Sequence, residues 1–202
     1  MSMLTSLTGV RSGAQVAAAI AALPNALPSW RTGAYYGNDT QNGVSAYTTA
    51  TVAANFLIAQ WCPTPAQGAT IDRIGAEVTA FVAAKLFGVA VYAPTADRTY
   101  PGALITSAID LSTAANAWVE GTVDAELPGY GVWVVFQNND ATVTYRFVAA
   151  AAKLAVMGKP AGGAATAYGS LAVARTYGAF PATFPAGATP SASSPVVNMR
   201  AV

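Results

Sequence analysis

The sequence contains no histidine and only one cysteine, and charged residues make up just 9% of its 202 positions. Without an imidazole, the catalytic triads that depend on one are excluded, and most transition-metal sites lose their commonest ligand. A P-loop, a GxGxxG fingerprint and other nucleotide-binding motifs are also absent. We therefore expect a protein that is not an enzyme and needs no cofactor.

The charged residues nearly balance, with ten Lys and Arg against nine Asp and Glu. No basic cluster is present, so the electrostatic footprint of a nucleic-acid-binding protein is missing and we expect no nucleic acid as a partner. Charged residues usually make up about a quarter of a soluble chain. A surface with so few charges gives a monomer little protection from association. We therefore expect much of the surface to be covered by copies of the chain or by other proteins.

Long apolar runs are missing too. The longest alanine-rich run, Val16 to Leu23, is well short of the roughly 20 residues that span a bilayer, so no membrane insertion is expected. As the only cysteine, Cys62 cannot form an intrachain disulfide, and its place at the end of an apolar run predicts a buried thiol rather than a reactive one.

The N-terminal residues 1–33 are predicted to form an arm for docking or oligomerisation, followed by one domain over residues 34–202. Ser12 is a suitable helix N-cap, and Pro24 ends a short helical pattern. A helix this short needs packing to be stable. It could dock on another protein or bundle with its copies around a threefold axis, or it could fold back on its own domain. The apolar residues expected to dock are Leu4, Leu7, Val10, Val16, Ile20 and Leu23.

The central part of the chain predicts successive β-strands separated by proline or glycine turns. Ile74, Ala76 and Val78 alternate with polar or small residues, which is typical of a strand with one buried face. The run Tyr130 to Phe136 (YGVWVVF) is apolar on both faces and predicts a central strand covered on both sides, with Trp133 in the core. About eight strands at this spacing favour an antiparallel two-sheet sandwich.

The order of these phrases resembles the jelly-roll domain of tail-fibre, minor tail and head-fibre proteins of tailed bacteriophages. Such domains carry a strand of the type DRIGIEVT, an ALGVY-like strand, a PG-A-L turn before an acidic strand, and then LPGxYWxA. The counterparts here are Asp72 to Thr79, Leu86 to Tyr92, Pro101 to Asp110 and Leu127 to Val135. The likeness covers roughly Tyr35 to Val202 and implies an all-β jelly-roll sandwich behind the short helical arm.

The resemblance also implies a place and a role. We expect a virion structural protein on the particle surface, a homotrimer attached to other virion proteins through its arm. It would be a tail or head fibre whose jelly roll contacts host cell-surface polysaccharide. The alternative is a capsid decoration or cement protein that stabilises the particle without binding the host.

Two segments are harder to assign. The apolar run Thr48 to Trp61 fits a helix or a buried strand by pattern alone, and the resemblance favours a strand. Between Gly158 and Pro195, glycine, proline, alanine and serine crowd together with several aromatic residues, which pure linkers lack. We expect an ordered loop that wraps the domain or a neighbouring subunit, with Val196 to Arg200 returning as a strand.

Carboxylates are the remaining candidates for chemistry. Asp124 and Glu126 lie two apart on a predicted strand, and paired carboxylates at a suitable separation can cleave glycosidic bonds, although a solvated strand face is the simpler interpretation. Asp39 and the turn from Asn138 to Asp140 offer oxygen atoms for calcium, but Asn-Asn-Asp is also an ordinary hairpin turn. We predict no catalytic residues and no metal site.

Aromatic residues with amide neighbours suggest a binding surface. Flat rings suit the apolar faces of sugars and suit protein interfaces equally well. We propose Tyr100, Trp118, Tyr36 and Asn38 as candidate glycan-binding residues, with Tyr100 and Trp118 expected on the surface beside turns. The alternative for any of these rings is a place in the core or in a subunit contact, as it is for Tyr35 and Tyr47.

Overall fold

The computed structural model describes residues 29–39, 46–149 and 169–202. Within these ranges the protein is all β, with no helix that could span a membrane. The predicted docking residues between Leu4 and Leu23 lie outside the described residues. The strands are β1 (Tyr35–Gly37), β2 (Tyr47–Thr51), β3 (Phe56–Cys62), β4 (Ala69–Ala80), β5 (Leu86–Pro94), β6 (Pro101–Ser112), β7 (Ala117–Leu127), β8 (Val132–Asn138), β9 (Thr144–Val148), β10 (Ser170–Ala174), β11 (Thr189–Ser191) and β12 (Val197–Ala201).

The strands form two antiparallel sheets. Sheet A is built around the long strand β4, which pairs with β7 along one edge and with both β12 and β9 along the other. β1 pairs with β12, and β2 pairs with β9. Sheet B has the order β11-β10-β3-β8-β5-β6. The predicted antiparallel two-sheet arrangement is therefore confirmed for the part of the chain that the structure describes.

The main core lies between the two sheets. Ile74, Ala76 and Val78 of β4 are buried there, as their alternation predicts. Sheet B contributes Phe87 of β5 and Phe136 of β8, whose rings stack 5.7 Å apart. Cys62 is fully buried in the same core, and burial raises the pKa of its thiol far above the usual range. The predicted unreactive position of this cysteine is confirmed.

A second apolar cluster covers the outer face of sheet B. The segment that follows β10 crosses this face and places Phe180 and Phe184 against Tyr92 and Trp133. β8 is consequently buried along its whole length, and Trp133 is only 1% exposed, as predicted. The described part of the Gly/Pro-rich region is thus an ordered wrap over its own domain.

The run Thr48 to Trp61 is extended, but it is not one strand. The chain turns at Asn55, whose φ is 62°, so β2 joins sheet A and β3 joins sheet B. Asp124 and Glu126 are both exposed on β7, beside the buried Val123 and Ala125. The solvated-face interpretation of this carboxylate pair is confirmed.

Candidate functional site

The outer face of sheet A differs from that of sheet B because no apolar segment of the described chain covers it. Its exposed or half-buried side chains are polar, charged or aromatic. They come from six strands: Tyr35, Tyr47, Arg73, Glu77, Trp118, Glu120, Arg146, Asn198 and Arg200. This face is the best candidate for a functional surface in the described part of the molecule.

Two glycines flank Asn198 in this face. Asn198 of β12 pairs with Gly37 on one side and with Gly75 on the other. A Cβ atom at Gly37 would lie 1.9 Å from Asn198 Oδ1, and one at Gly75 would lie 2.3 Å from the carbonyl oxygen of Val119. Only glycine fits these close approaches. The side chain of Asn198 is therefore packed over Gly37, in space that any larger residue would need.

Two adjoining cavities of about 210 Å³ each lie beside Asn198 on this face. They share Trp118 and Asn198, so we treat them as one feature, the sheet A groove. Tyr35 completes the lining of one cavity. The other is lined in addition by Asp39, Tyr47, Glu77, Arg146 and Val196. The groove is thus built by residues from β1, β2, β4, β7, β9 and β12 and from the segments beside them.

Two aromatic rings on one side of the groove are held by a single carboxylate. The Tyr35 hydroxyl and the Trp118 indole N–H both donate to Glu120 Oε2, each over 2.8 Å. The rings meet edge to face with centroids 5.6 Å apart. Burial, assisted by the Glu120 carboxylate, raises the pKa of Tyr35. Arg73 lies 3.4 Å from Glu120 and balances its charge. The rings are therefore fixed in position before any ligand binds.

The other charges of this face also occur in pairs. Arg146 donates to both carboxylate oxygens of Glu77, at 2.9 and 2.6 Å, and hydrogen bonding to Glu77 raises the pKa of the guanidinium. Arg200 binds Asp72 in the same bidentate way, at 2.8 and 2.5 Å. Bidentate pairs of this kind have fixed geometry. Because each arginine has its own carboxylate, the face carries little unbalanced charge.

Two buried oxygen atoms of groove residues have no hydrogen-bond partner among the described residues. Asp39 is only 4% exposed. Its Oδ2 accepts from the Tyr47 hydroxyl over 3.0 Å, whereas its Oδ1 has no donor. Asn198 Oδ1 is likewise buried without a donor. Since buried polar atoms are nearly always hydrogen-bonded in folded proteins, these two acceptors require an explanation.

The structure places the four predicted glycan-binding residues in different surroundings. Trp118 lines the groove and is the second residue of β7, directly after the bend at residues 114–116, as predicted. Tyr36 stacks on Trp30 with ring centroids 4.6 Å apart, and its hydroxyl accepts from the Arg31 N–H. Asn38, at 3% exposed, is buried beneath sheet A.

Tyr100 lies on the other side of the molecule, next to the outer cluster of sheet B. Its hydroxyl donates to the Pro185 carbonyl over 2.7 Å and accepts from the Ala188 N–H, and its ring meets Phe184 edge to face. It anchors the C-terminal wrap. Trp118 is therefore the one residue of the predicted four that the groove contains.

The suggested calcium ligands Asp39 and Asp140 have other partners, and Asp39 accepts from the Tyr47 hydroxyl. The described residues hold no group of three or more Cys, Asp or Glu side chains that could share a metal ion. Asp140 instead accepts from the Thr142 N–H over 2.7 Å and lies 3.2 Å from the Lys85 ammonium. These contacts, led by the hydrogen bonds from Thr142, lower the pKa of Asp140 to about 2. The turn after β8 is fixed by its own side chains, but it is not the hairpin turn that its sequence suggested, because β8 belongs to sheet B and β9 to sheet A.

Comparisons with models of protein families, with curated proteins and with solved structures found no match. The strand order and the sheet A groove are therefore the two features from which a role can be inferred. Sequence reasoning named Tyr35, Tyr47 and Trp118 among its aromatic candidates but missed Asn198. The signal for Asn198 was the alternation with Val197 and Met199, which turns the asparagine outward from the core.

Proposed function

We propose that this chain is a structural protein of a tailed-bacteriophage virion, a fibre displayed on the head or tail whose jelly roll contacts the host envelope. The observation that carries the proposal is the strand order. Within sheet A the order β2-β9-β4-β7 can be followed, and sheet B contains β3-β8-β5-β6.

This order supports the jelly-roll assignment. The chain changes sheet at every step from β2 to β9 except between β5 and β6, which form a hairpin in sheet B. Eight strands connected in this way form the two Greek keys of a jelly roll. The other four strands are additions: β10 and β11 extend sheet B beyond β3, and β12 and β1 lie alongside β4 in sheet A. The same order agrees with the series of phrases that resembles the phage domains.

A fold hosts many functions, so the proposed role also needs support from surfaces. The outer face of sheet A carries a groove with preset aromatic rings, as a host-contacting surface requires. The scarcity of charge across the chain favours a protein whose remaining surface is covered by its own copies in a closed, trimeric assembly.

The arm of residues 1–33 is proposed to attach this fibre to other virion proteins. Its last part is placed by contacts within the domain, since Trp30 stacks on Tyr36 and the Gly33 N–H donates to the Ala201 carbonyl over 2.8 Å. The first described residue, Ser29, accepts a hydrogen bond from Gln67 Nε2 over 2.5 Å, so the arm joins the domain beside the loop that leads into β4.

Immunogold electron microscopy of intact virions tests the proposal, with antibody raised against residues 34–202. Label on tail or head fibres is the expected result. Label spread evenly over the capsid would favour the decoration protein. Absence of label from purified particles, with strong reaction against the isolated protein, would overturn the virion assignment.

Removal of residues 1–28 separates the two virion roles. The cut leaves the contact between Trp30 and Tyr36 in place. A fibre protein shortened in this way is expected to remain folded and to bind host cells in free form, whereas particles carrying it lose attachment. If the shortened protein instead lowers the thermal stability of the capsid and binds no cells, the decoration role is correct.

A further inference from the structure

We infer that the sheet A groove is a binding site for an uncharged glycan of at least two sugar rings. The inference deepens the proposed function, because it names the ligand class that a host-facing surface of this kind would recognise. It rests on three features of the groove: the unpaired acceptors, the rings, and the balance of charge.

The unpaired acceptors call for hydroxyl donors. Asp39 Oδ1 and Asn198 Oδ1 are both buried without a donor among the described residues, and both residues line the same cavity. A buried acceptor left without a partner is costly. Sugar hydroxyls donate as well as accept hydrogen bonds, so a sugar in this cavity brings donors of the kind that these two acceptors lack.

The rings provide the apolar contact that a sugar needs. Trp118 belongs to both cavities, with Tyr35 in one and Tyr47 in the other. The exposed fractions of Tyr35 and Tyr47 are 38% and 43%, so each presents ring surface to solvent. Amphipathic rings of this type combine an apolar face with a polar tip, which matches the alternation of C–H faces and hydroxyls around a sugar.

The balance of charge favours a neutral ligand over an acidic one. Arg146, Arg73 and Arg200 are each paired with a carboxylate, so no arginine of this face is left to bind an anion. Asp39 has no cationic partner among the described residues, and its carboxylate would repel a uronate or sialate placed in the same cavity. The hydroxyl groups of a neutral sugar meet no such repulsion.

The size of the groove sets the length of the glycan. Each cavity measures about 210 Å³. This is below the roughly 300–1,000 Å³ of pockets for drug-sized ligands, so each one suits a single ring. Because the two cavities meet at Trp118 and Asn198, two linked sugars can occupy them together. We therefore expect a disaccharide to bind more tightly than either of its monosaccharides.

The test uses the purified full-length protein on an array of neutral hexose oligosaccharides and their uronate- or sialate-containing counterparts. Isothermal titration with the best neutral disaccharide follows. Trp118→Ala is expected to abolish measurable binding, and Asp39→Asn is expected to weaken it about tenfold or more, since it replaces an acceptor for sugar hydroxyls by an amide. Asp39→Asn keeps the shape of the side chain, so it serves even if Trp118→Ala fails to fold.

Tyr130→Ala is the matched control. Tyr130 is 57% exposed but follows the far end of β7 from Trp118, and its ring lies under Arg98 outside the groove. Its loss is expected to leave the affinity unchanged. The inference is overturned if neutral oligosaccharides fail to bind, if only acidic ones bind, or if binding survives both groove variants. These outcomes concern the free protein, whereas the virion assignment is decided by labelling of particles, so either can fail alone.

Discussion

Single buried amides connect parts of the chain that lie far apart in the sequence. Asn38 donates from Nδ2 to Gln60 Oε1 over 2.7 Å and to the Pro195 carbonyl over 3.0 Å. Its Oδ1 accepts from the Val197 N–H over 2.9 Å, and Gln60 also donates to Pro195. The network joins β3 to the chain that leads into β12. The network stabilises the fold, and Asn38 is buried within it and away from solvent.

Replacement of Asn38 by alanine is therefore expected to lower the free energy of unfolding by about 2–4 kcal/mol, because the buried Val197 N–H and Gln60 amide lose partners. Chemical denaturation followed by tryptophan fluorescence measures the change. Asn116→Ala is the control, since this exposed side chain accepts only from the Phe81 N–H and should cost less than about 1 kcal/mol. Equal effects of the two substitutions would contradict this account of Asn38.

Residue positions were predictable where a local pattern encoded them. The burial of Trp133 follows from a run that is apolar on both faces, and the burial of Ile74 follows from alternation. The burial of Asn38 does not follow from its neighbours, because a polar residue beside tyrosines is typical of a surface. Its partners lie beyond any local window, at Gln60, Pro195 and Val197.

At the scale of elements, the C-terminal wrap acts as a third layer over sheet B. Phe184 contacts Tyr92 and Tyr100 edge to face, with centroid separations of 5.5 and 5.7 Å. The Tyr92 hydroxyl donates to the Pro181 carbonyl over 2.8 Å. Burial raises the pKa of Tyr92 to about 12. The segment is therefore fastened by both apolar packing and hydrogen bonds.

Phe184→Ala should accordingly destabilise the protein by about 3–5 kcal/mol, the usual cost of truncating a buried phenylalanine. Phe184 is 4% exposed, while Phe81 in the turn after β4 is 52% exposed. Phe81→Ala is the matched control and should change stability by less than about 0.5 kcal/mol. Hydrogen exchange would show where the loss occurs, and the amide of Leu104, which donates to Ala182, is expected to lose protection first.

If Phe184→Ala and Phe81→Ala lower the free energy of unfolding equally, the wrap contributes no packing energy and its description as a third layer is wrong.

The elements themselves were largely predictable, because alternation and proline or glycine turns mark most strands. The division of the run Thr48 to Trp61 at Asn55 was not predictable, because an asparagine within an apolar run does not indicate where the chain passes from one sheet to the other. The groove could not be predicted from the sequence for a related reason: its residues come from six strands that only sheet pairing brings together.

At the scale of the whole molecule, the absence of histidine shapes the response to pH. No side chain has an ordinary pKa near neutrality. Three carboxylates are shifted downward instead: hydrogen bonds from Arg200 lower the pKa of Asp72, those from Thr95 and Thr99 lower the pKa of Asp97, and those from Thr142 lower the pKa of Asp140 to about 2. The stability of the fold should therefore change in acid rather than near neutral pH.

The direction of this pH dependence follows from the linkage between proton binding and folding. A carboxylate whose pKa is lower in the folded state stabilises the fold above its unfolded pKa, and that contribution is lost as the pH falls through the folded pKa. The melting temperature is expected to be level from about pH 8 to pH 5 and to fall between about pH 4 and pH 2. Differential scanning calorimetry across this range measures the curve.

Asp72→Asn and Asp140→Asn should each lower the melting temperature at neutral pH and make the fall in acid shallower. Asp124→Asn is the control, because Asp124 is exposed and makes no side-chain hydrogen bond or ion pair among the described residues. A steep loss of stability between about pH 7 and pH 6 would contradict the account, since the chain has no histidine to cause it.

The pairing of β1 with β12 also affects how the domain is made on the ribosome. β1 pairs only with β12 in the described sheet, and β12 fills the place between β1 and β4. Strands β2 to β9 can assemble the two sheets during synthesis, but one edge of β4 stays open until the much later residues Val197–Ala201 emerge. Such distant pairing is slow and leaves strand edges exposed to other chains. Completion of sheet A is therefore expected to be a late step of folding, and the edge of β4 is open to pairing with other chains until then.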